Sequence, residues 1–93
     1  MTEVERARLK ADIEKIKNFY QDRQFKKTVE ELSELICAIV RNDRGNIIEE
    51  IADVEIMTCQ LKMLLKCENE VEEIKRYKVS RQLKRMETEE EKE

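Results

Sequence analysis

The sequence predicts an all-α protein, a small antiparallel bundle of about four helices. Its 93 residues include no Pro and a single Gly, the two residue types that most often interrupt helices. Charged residues make up 44% of the chain and aromatic residues 4%, which favours amphipathic helices over strands. Short connections separate the helical segments, and short connections join antiparallel neighbours.

Capping signals place the start of each helix. In a capping box, a polar side chain and a carboxylate three residues later satisfy free N–H groups, and three pairs fit this pattern: Thr2 with Glu5, Asn46 with Glu49, and Asn69 with Glu72. Asp22 is the predicted cap of helix two. We therefore expect helices one to four to end or begin near these signals, at about residues 3–20, 23–41, 47–66 and 70–86.

Residues 42–45 predict the turn between helices two and three, with the only Gly, Gly45, in a left-handed helix end. Residues 1–86 form a single predicted domain, because a chain of this length supports one core. Residues 87–93 have no apolar anchor, and we expect them to form a frayed acidic tail.

Composition excludes several classes of function. The net charge of −3 offers no basic surface for a nucleic acid polymer. No apolar run approaches the roughly 20 residues that a membrane span needs, and no signal-peptide segment opens the chain. The absence of His argues against a zinc site or a His-based triad. Three Cys without Cys-x-x-Cys spacing indicate reduced thiols, so we expect a cytoplasmic protein.

Two acidic clusters, residues 30–34 and residues 50–53, lie fifteen residues apart. Each holds two carboxylates at i and i+3, Glu31 with Glu34 and Glu50 with Asp53, which lie about 60° apart on a helix. Two neighbouring helices can point all four at one spot. Oxygen-only ligands suit Mg²⁺ or Mn²⁺, so the spacing predicts a divalent-metal site.

Helical periodicity predicts how these residues are placed. On helix two we expect a core stripe, with Lys27, Glu31 and Glu34 along its edge and Glu30 further round; the stripe is Phe25, Val29, Leu32, Leu35, Ile36 and Ile39. On helix three, Glu50 and Asp53 interrupt an apolar face. Buried carboxylates need a partner, which is either a metal or a salt bridge to Lys27.

Helix three has a second apolar face, which a small monomeric bundle cannot cover; it consists of Ile48, Ala52, Ile56, Cys59 and Met63. We therefore expect a homodimer or homotetramer that associates through helix three. Coverage of this face by helix one or four is the alternative. Helix four carries cations on its inward side, Lys78 and Arg81 among them.

The motif Glu-Glu-Leu-Ser-Glu at residues 30–34, followed by Glu-Ile-Ala-Asp at residues 50–53, resembles the signature of the MazG-like nucleoside triphosphate pyrophosphohydrolases. The resemblance covers roughly residues 20–85. It implies Mg²⁺-dependent cleavage of a nucleoside triphosphate between its α- and β-phosphates, which yields a nucleoside monophosphate and pyrophosphate.

The resemblance also implies roles for individual residues. Glu31, Glu34, Glu50 and Asp53 would bind the metal. Glu30 would act as the base or as a hydrogen-bond partner within the site. Four further side chains would contact the substrate: Gln24, Lys27, Lys78 and Arg81. The preferred nucleotide stays open, and so do two other interpretations, a helical interaction module with salt-bridged acidic faces and a nucleotide-binding protein without turnover.

Overall fold

The computed structural model describes residues 1–20 and 23–92. It contains four α-helices, α1 (Glu3–Tyr20), α2 (Gln24–Val40), α3 (Arg44–Leu65) and α4 (Glu68–Lys92). No strand occurs among these residues, so the predicted all-α bundle is confirmed. The predicted cap of α2, Asp22, lies outside the described residues.

The capping box of α1 is present as predicted. The backbone N–H of Thr2 donates to Glu5 Oε1 at 3.2 Å, and the N–H of Glu5 donates to Thr2 Oγ1 at 3.1 Å. Two of the N–H groups at this helix end are thereby satisfied by side chains three residues away in sequence.

The turn between α2 and α3 differs from the prediction. Asp43, not Asn46, caps α3, because its carboxylate accepts from the N–H of Asn46 at 3.3 Å. Asn42, with a φ of 54°, takes the left-handed conformation that we expected at Gly45. Gly45 instead lies in the first turn of α3, where its φ is not positive.

The next helix start is also earlier than predicted. Lys66 ends α3 in a left-handed conformation, with a φ of 53°. The N–H of Val71 then donates to the carbonyl of Cys67 at 3.0 Å, so α4 starts at Glu68 and Asn69 lies inside it. At the other end, α4 continues through the acidic segment to Lys92. Fraying of that segment in solution stays a prediction.

The antiparallel pair formed by α2 and α3 is the centre of the fold. Gln24 on α2 donates to Gln60 Oε1 on α3 at 2.7 Å, and Gln60 donates to the carbonyl of Ile13 on α1 at 3.4 Å. Both glutamines are fully buried, so this chain of hydrogen bonds fixes three helices from the inside. α4 leaves α3 early: Val71 is half-buried, and every described side chain after it is exposed.

The predicted core stripe of α2 is wrong. Only Leu35 is partly buried, and the other five side chains are exposed: Phe25, Val29, Leu32, Ile36 and Ile39. The residues of α2 that are buried are Gln24, Thr28, Glu31 and Ala38. The helix therefore turns its polar and acidic side towards α3, and its apolar side stays uncovered in the protomer.

In the part of the chain that the structure describes, we find no helix long and apolar enough to cross a membrane.

Candidate active site

The register of α2 against α3 brings acidic residues of the two clusters together. Glu31 follows Gln24 by two helical turns, and Asp53 precedes its partner Gln60 by the same distance along the antiparallel helix. One carboxylate oxygen from each of Glu31, Glu50 and Asp53 lies within 4.8 Å of the other two. The hydrogen bond between the glutamines thus sets the register that assembles this carboxylate centre.

The three carboxylates of this centre differ in their exposure to solvent. Glu31 is 8% exposed, Glu50 is half-buried and Asp53 is exposed. The Oε2 atoms of Glu31 and Glu50 are buried and have no hydrogen-bond partner among the described residues. Leaving a buried carboxylate oxygen unpaired is costly, so the centre is built to receive a positively charged partner.

Lys27 satisfies a small part of this need. Its Nζ lies 3.2 Å from Glu31 Oε1 and 3.9 Å from Glu30 Oε2. The hydrogen bond to Glu31 raises the pKa of Lys27, so the ammonium stays charged. Among the described residues, no other cation forms an ion pair within the carboxylate centre. The predicted salt bridge of Lys27 therefore forms with Glu31, and Glu50 and Asp53 have none.

Negative charge accumulates around Glu50. Burial raises the pKa of its carboxyl above the usual 4.5, and the nearby charges of Glu34, Asp53 and Glu31 raise it further. Glu34 makes the largest of these charge contributions, so it lies close to Glu50 without belonging to the group of three close oxygens. A divalent cation bound there would relieve both the burial cost and the repulsion.

A cleft opens from this centre towards the α2–α3 turn. Its volume is about 360 Å³, and its lining residues are Ser33, Glu34, Cys37, Ala38, Arg41, Asn46 and Glu50. Arg41 is the only cation among them. Sequence patterns did not single out Arg41, although it follows Glu34 by seven residues, about two helical turns, and therefore lies on the same side of α2.

A second cleft lies towards the start of α2, beside Glu30 and Lys27. It measures about 280 Å³, and its other lining residues are Tyr20, Arg23 and Lys26. The guanidinium of Arg23 sits 5.6 Å from the centroid of the Tyr20 ring. The carboxylate centre thus has a basic cleft at one end of α2 and Arg41 at the other.

The remaining predicted substrate contacts lie elsewhere. Gln24 is 1% exposed and is held by Gln60, so the structure places it in the protein interior. Lys78 and Arg81 are exposed on the part of α4 that has left α3, and the Arg81 guanidinium lies 5.5 Å from the Tyr77 ring centroid. The protomer does not bring these three side chains to the carboxylate centre.

Comparison with known families decides what kind of protein carries this centre. The sequence model of phosphoribosyl-ATP pyrophosphohydrolase matches residues 6–76, which is most of the chain and includes both acidic clusters. The chain belongs to the phosphoribosyl-ATP pyrophosphohydrolase family. Members of this family are MazG-like all-α pyrophosphatases, which confirms the resemblance seen in the sequence. No curated protein and no solved structure matches the chain.

Membership makes the protein a pyrophosphohydrolase, an enzyme that acts on phosphoric anhydride bonds. Phosphoribosyl-ATP pyrophosphohydrolases are metal-dependent, and the donor set here fits a hard divalent cation. The fit rests on two buried orphan oxygens and on three converging carboxylates.

Removing the charge of Glu50 should stabilise the metal-free protein at neutral pH. The folded state holds the Glu50 proton to higher pH than the unfolded chain does, so this group contributes stability below about pH 4.5 that is lost as the pH rises through the folded pKa. In EDTA, Glu50→Gln should therefore melt a few degrees above wild type at pH 7, and the two should converge near pH 4.

The matched control is Glu49→Gln, an exposed neighbour on α3. Thermal melts at one fixed protein concentration make the comparison. A lower melting temperature for Glu50→Gln than for wild type at pH 7 without metal would show that Glu50 is already satisfied by a partner within the protein.

Proposed function

We propose that this protein is a Mg²⁺-dependent pyrophosphohydrolase that cleaves a nucleotide of the phosphoribosyl-ATP type between its α- and β-phosphates. The products are the corresponding monophosphate and pyrophosphate, and Mn²⁺ is a possible substitute for Mg²⁺. The observation that carries the proposal is the carboxylate centre of Glu31, Glu50 and Asp53, which has two buried oxygens without a partner in the described part of the chain.

The position of each side chain suggests its role in the reaction. Glu31, Glu50 and Asp53 would hold the cation, and Glu34 would add a fourth carboxylate from the wall of the cleft. A bound Mg²⁺ supplies Lewis-acid polarisation of phosphate oxygens and neutralises the charge that builds up during transfer. Lys27, already fixed by Glu31, presents one ammonium beside the centre.

The reaction needs a group that accepts a proton. Water attacks a phosphorus atom, the anhydride P–O bond breaks, pyrophosphate leaves, and the water loses its proton. Glu30 is our candidate for the acceptor, because it is exposed, directly precedes the metal ligand Glu31, and among the described residues has a single ion pair, a 3.9 Å contact with Lys27.

Phosphate recognition calls for cations that are free to meet the substrate. Arg41 lines the same cleft as Glu34 and Glu50 and makes no ion pair among the described residues, so we assign it a phosphate contact. Lys78 and Arg81 remain candidates for the same task. Because both are exposed on α4, a contact with the substrate requires α4 to approach a carboxylate centre.

We also propose that the enzyme acts as a homo-oligomer, a homodimer or homotetramer, since much of the apolar surface of its helices is exposed in the protomer.

Replacing Asp53 by Asn should abolish turnover without unfolding the protein. Asp53 is an exposed member of the centre, so the change removes a ligand and little packing. We expect a loss larger than the roughly 10- to 100-fold that follows removal of an outer hydrogen-bond partner at a metal site. The measurement is pyrophosphate release from phosphoribosyl-ATP, ATP, dUTP and dCTP, with Mg²⁺, Mn²⁺ or EDTA.

Glu55→Gln, another exposed acid on α3, is the matched control and should keep wild-type activity. Activity that survives in EDTA, or full activity in Asp53→Asn, would contradict the proposed metal site. Stabilisation by Mg²⁺ without pyrophosphate release from any nucleotide would favour a binding protein over an enzyme with this substrate class. An absence of both would favour the interaction module.

Replacing Arg41 by Ala should weaken the use of substrate. Loss of a charge-assisted contact to phosphate costs about 1.5–3 kcal/mol, which corresponds to roughly 10- to 100-fold in kcat/KM. Arg41→Lys should restore part of the lost kcat/KM, because the positive charge remains while the planar guanidinium, which can donate two parallel hydrogen bonds, is lost. Arg44→Ala, exposed at the start of α3, is the control. An unchanged kcat/KM in Arg41→Ala would remove Arg41 from the site.

A further inference from the structure

One row of side chains on α2 joins the two clefts beside the carboxylate centre. Its members are separated alternately by four and three residues, the spacing that keeps side chains on one side of a helix: Arg23, Lys27, Glu30, Glu34, Cys37 and Arg41. The first three line the cleft at the start of α2, and the last three line the cleft towards the α2–α3 turn. The two clefts are therefore the two ends of one side of α2.

The cleft at the start of α2 is the more basic of the two. We name it the basic cleft, and it is lined by three cations, one acid and one aromatic ring: Arg23, Lys26, Lys27, Glu30 and Tyr20. The other cleft, which we name the turn cleft, has Arg41 as its one cation beside two acids, Glu34 and Glu50. The basic cleft is thus a local positive site in a chain whose net charge is −3.

Two cations of the basic cleft are available to a ligand. Lys27 is held by Glu31 and Glu30, whereas Arg23 and Lys26 are exposed and form no ion pair among the described residues. The Arg23 guanidinium lies 5.6 Å from the centroid of the Tyr20 ring. A contact with the ring leaves the N–H groups of the guanidinium able to donate hydrogen bonds, and their strongest partners are carboxylate and phosphate oxygens.

The start of α2 adds to the positive potential of this cleft. Arg23 is the N-cap residue, and its side chain makes no capping hydrogen bond. The first turn of α2 contains no acidic residue. The N–H groups and the dipole of a helix give its N-terminus a partial positive charge, which favours phosphate groups. The backbone therefore favours the same kind of ligand as Arg23 and Lys26 do.

Spacing along α2 indicates which part of a nucleotide each cleft receives. At roughly 1.5 Å per residue, Lys26 lies about 8 Å from Glu31 along the helix axis, and Arg41 lies about 15 Å from Glu31 in the opposite direction. Pyrophosphate concentrates its charge on two linked phosphates, so it needs several cations close together and close to the metal. The basic cleft meets this need, and the turn cleft does not.

We propose that the nucleotide lies along this side of α2, with its β- and γ-phosphates in the basic cleft and its nucleoside in the turn cleft. Arg23 and Lys26 hold the phosphates that become pyrophosphate, and Arg41 contacts a phosphate of the part that becomes the monophosphate product. Ser33 and Asn46 give the turn cleft neutral polar groups that suit a sugar or a base. The inference rests on the proposed function, because it orients that substrate on the same carboxylate centre.

Calorimetric titration with each product tests this orientation. The titrants are inorganic pyrophosphate and phosphoribosyl-AMP, each in excess Mg²⁺. Arg23→Ala and Lys26→Ala should each raise the dissociation constant of pyrophosphate by roughly tenfold or more, because each removes a charge-assisted contact to phosphate. Neither change should alter the dissociation constant of phosphoribosyl-AMP. Arg41→Ala should show the opposite pattern.

The matched control is Arg8→Ala on α1, because Arg8 is exposed and lines neither cleft. It removes the same charge and should bind both products as wild type does. Arg23→Lys should recover part of the affinity for pyrophosphate, since the charge remains. Circular dichroism and Mn²⁺ affinity check that the helices and the carboxylate centre are intact. Lys26→Ala, a change at an exposed side chain, decides the test if Arg23→Ala alters either property.

Four results would overturn the orientation: a wild type that binds no pyrophosphate, wild-type pyrophosphate binding in both variants of the basic cleft, equal losses for both products, or a loss confined to phosphoribosyl-AMP. Turnover tests the proposed function separately, because the titrations need no hydrolysis. A protein that binds pyrophosphate through Arg23 and Lys26 but cleaves no nucleotide would support the basic cleft and contradict the enzyme.

Discussion

The antiparallel packing of α2 on α3 is the constraint on which the rest of the structure depends. The buried pair Gln24 and Gln60 fixes the register, and two turns away the same register sets Glu31 beside Glu50 and Asp53. That arrangement is unfavourable by itself, because Lys27 satisfies one oxygen of Glu31, and two buried oxygens of the centre have no partner among the residues that the structure describes. A pyrophosphohydrolase that binds a cation between two helices needs such a cluster of carboxylates. The other contacts between α2 and α3 must therefore offset the unfavourable free energy of the cluster.

The protomer has only a small apolar core to offset this cost. Ile13, Ala38 and Met57 are its only buried apolar side chains among the described residues, and four polar side chains are buried beside them. A core of this size stabilises a chain weakly. The apolar stripe of α2 lies about 100° from its acidic side. Its burial against another protomer in the proposed homo-oligomer would stabilise the fold.

Sequence patterns predicted the features that depend on neighbours along the chain. The capping box of Thr2 and Glu5 formed as expected, and the i, i+3 spacing of Glu50 and Asp53 carried both carboxylates to one side of α3. At the α2–α3 turn, Asp43 and Asn46 are both good caps, and the sequence does not rank them. Periodicity grouped the apolar residues of α2 on one side of the helix, but it cannot tell whether that side packs on α3, and the prediction that it forms the core was wrong. The hydrogen bond between Gln24 and Gln60 could not be predicted, because the sequence does not distinguish a buried Gln from an exposed one.

The proposed function depends on a single divalent-metal site formed by the carboxylates of α2 and α3. Titration of the protein with Mn²⁺, followed by the electron paramagnetic resonance signal of the free ion, tests it most directly. We expect saturable binding that Mg²⁺ displaces, that Glu31→Gln removes and that Glu49→Gln leaves intact. Binding of equal strength in wild type and Glu31→Gln, or no saturable binding at all, would contradict it.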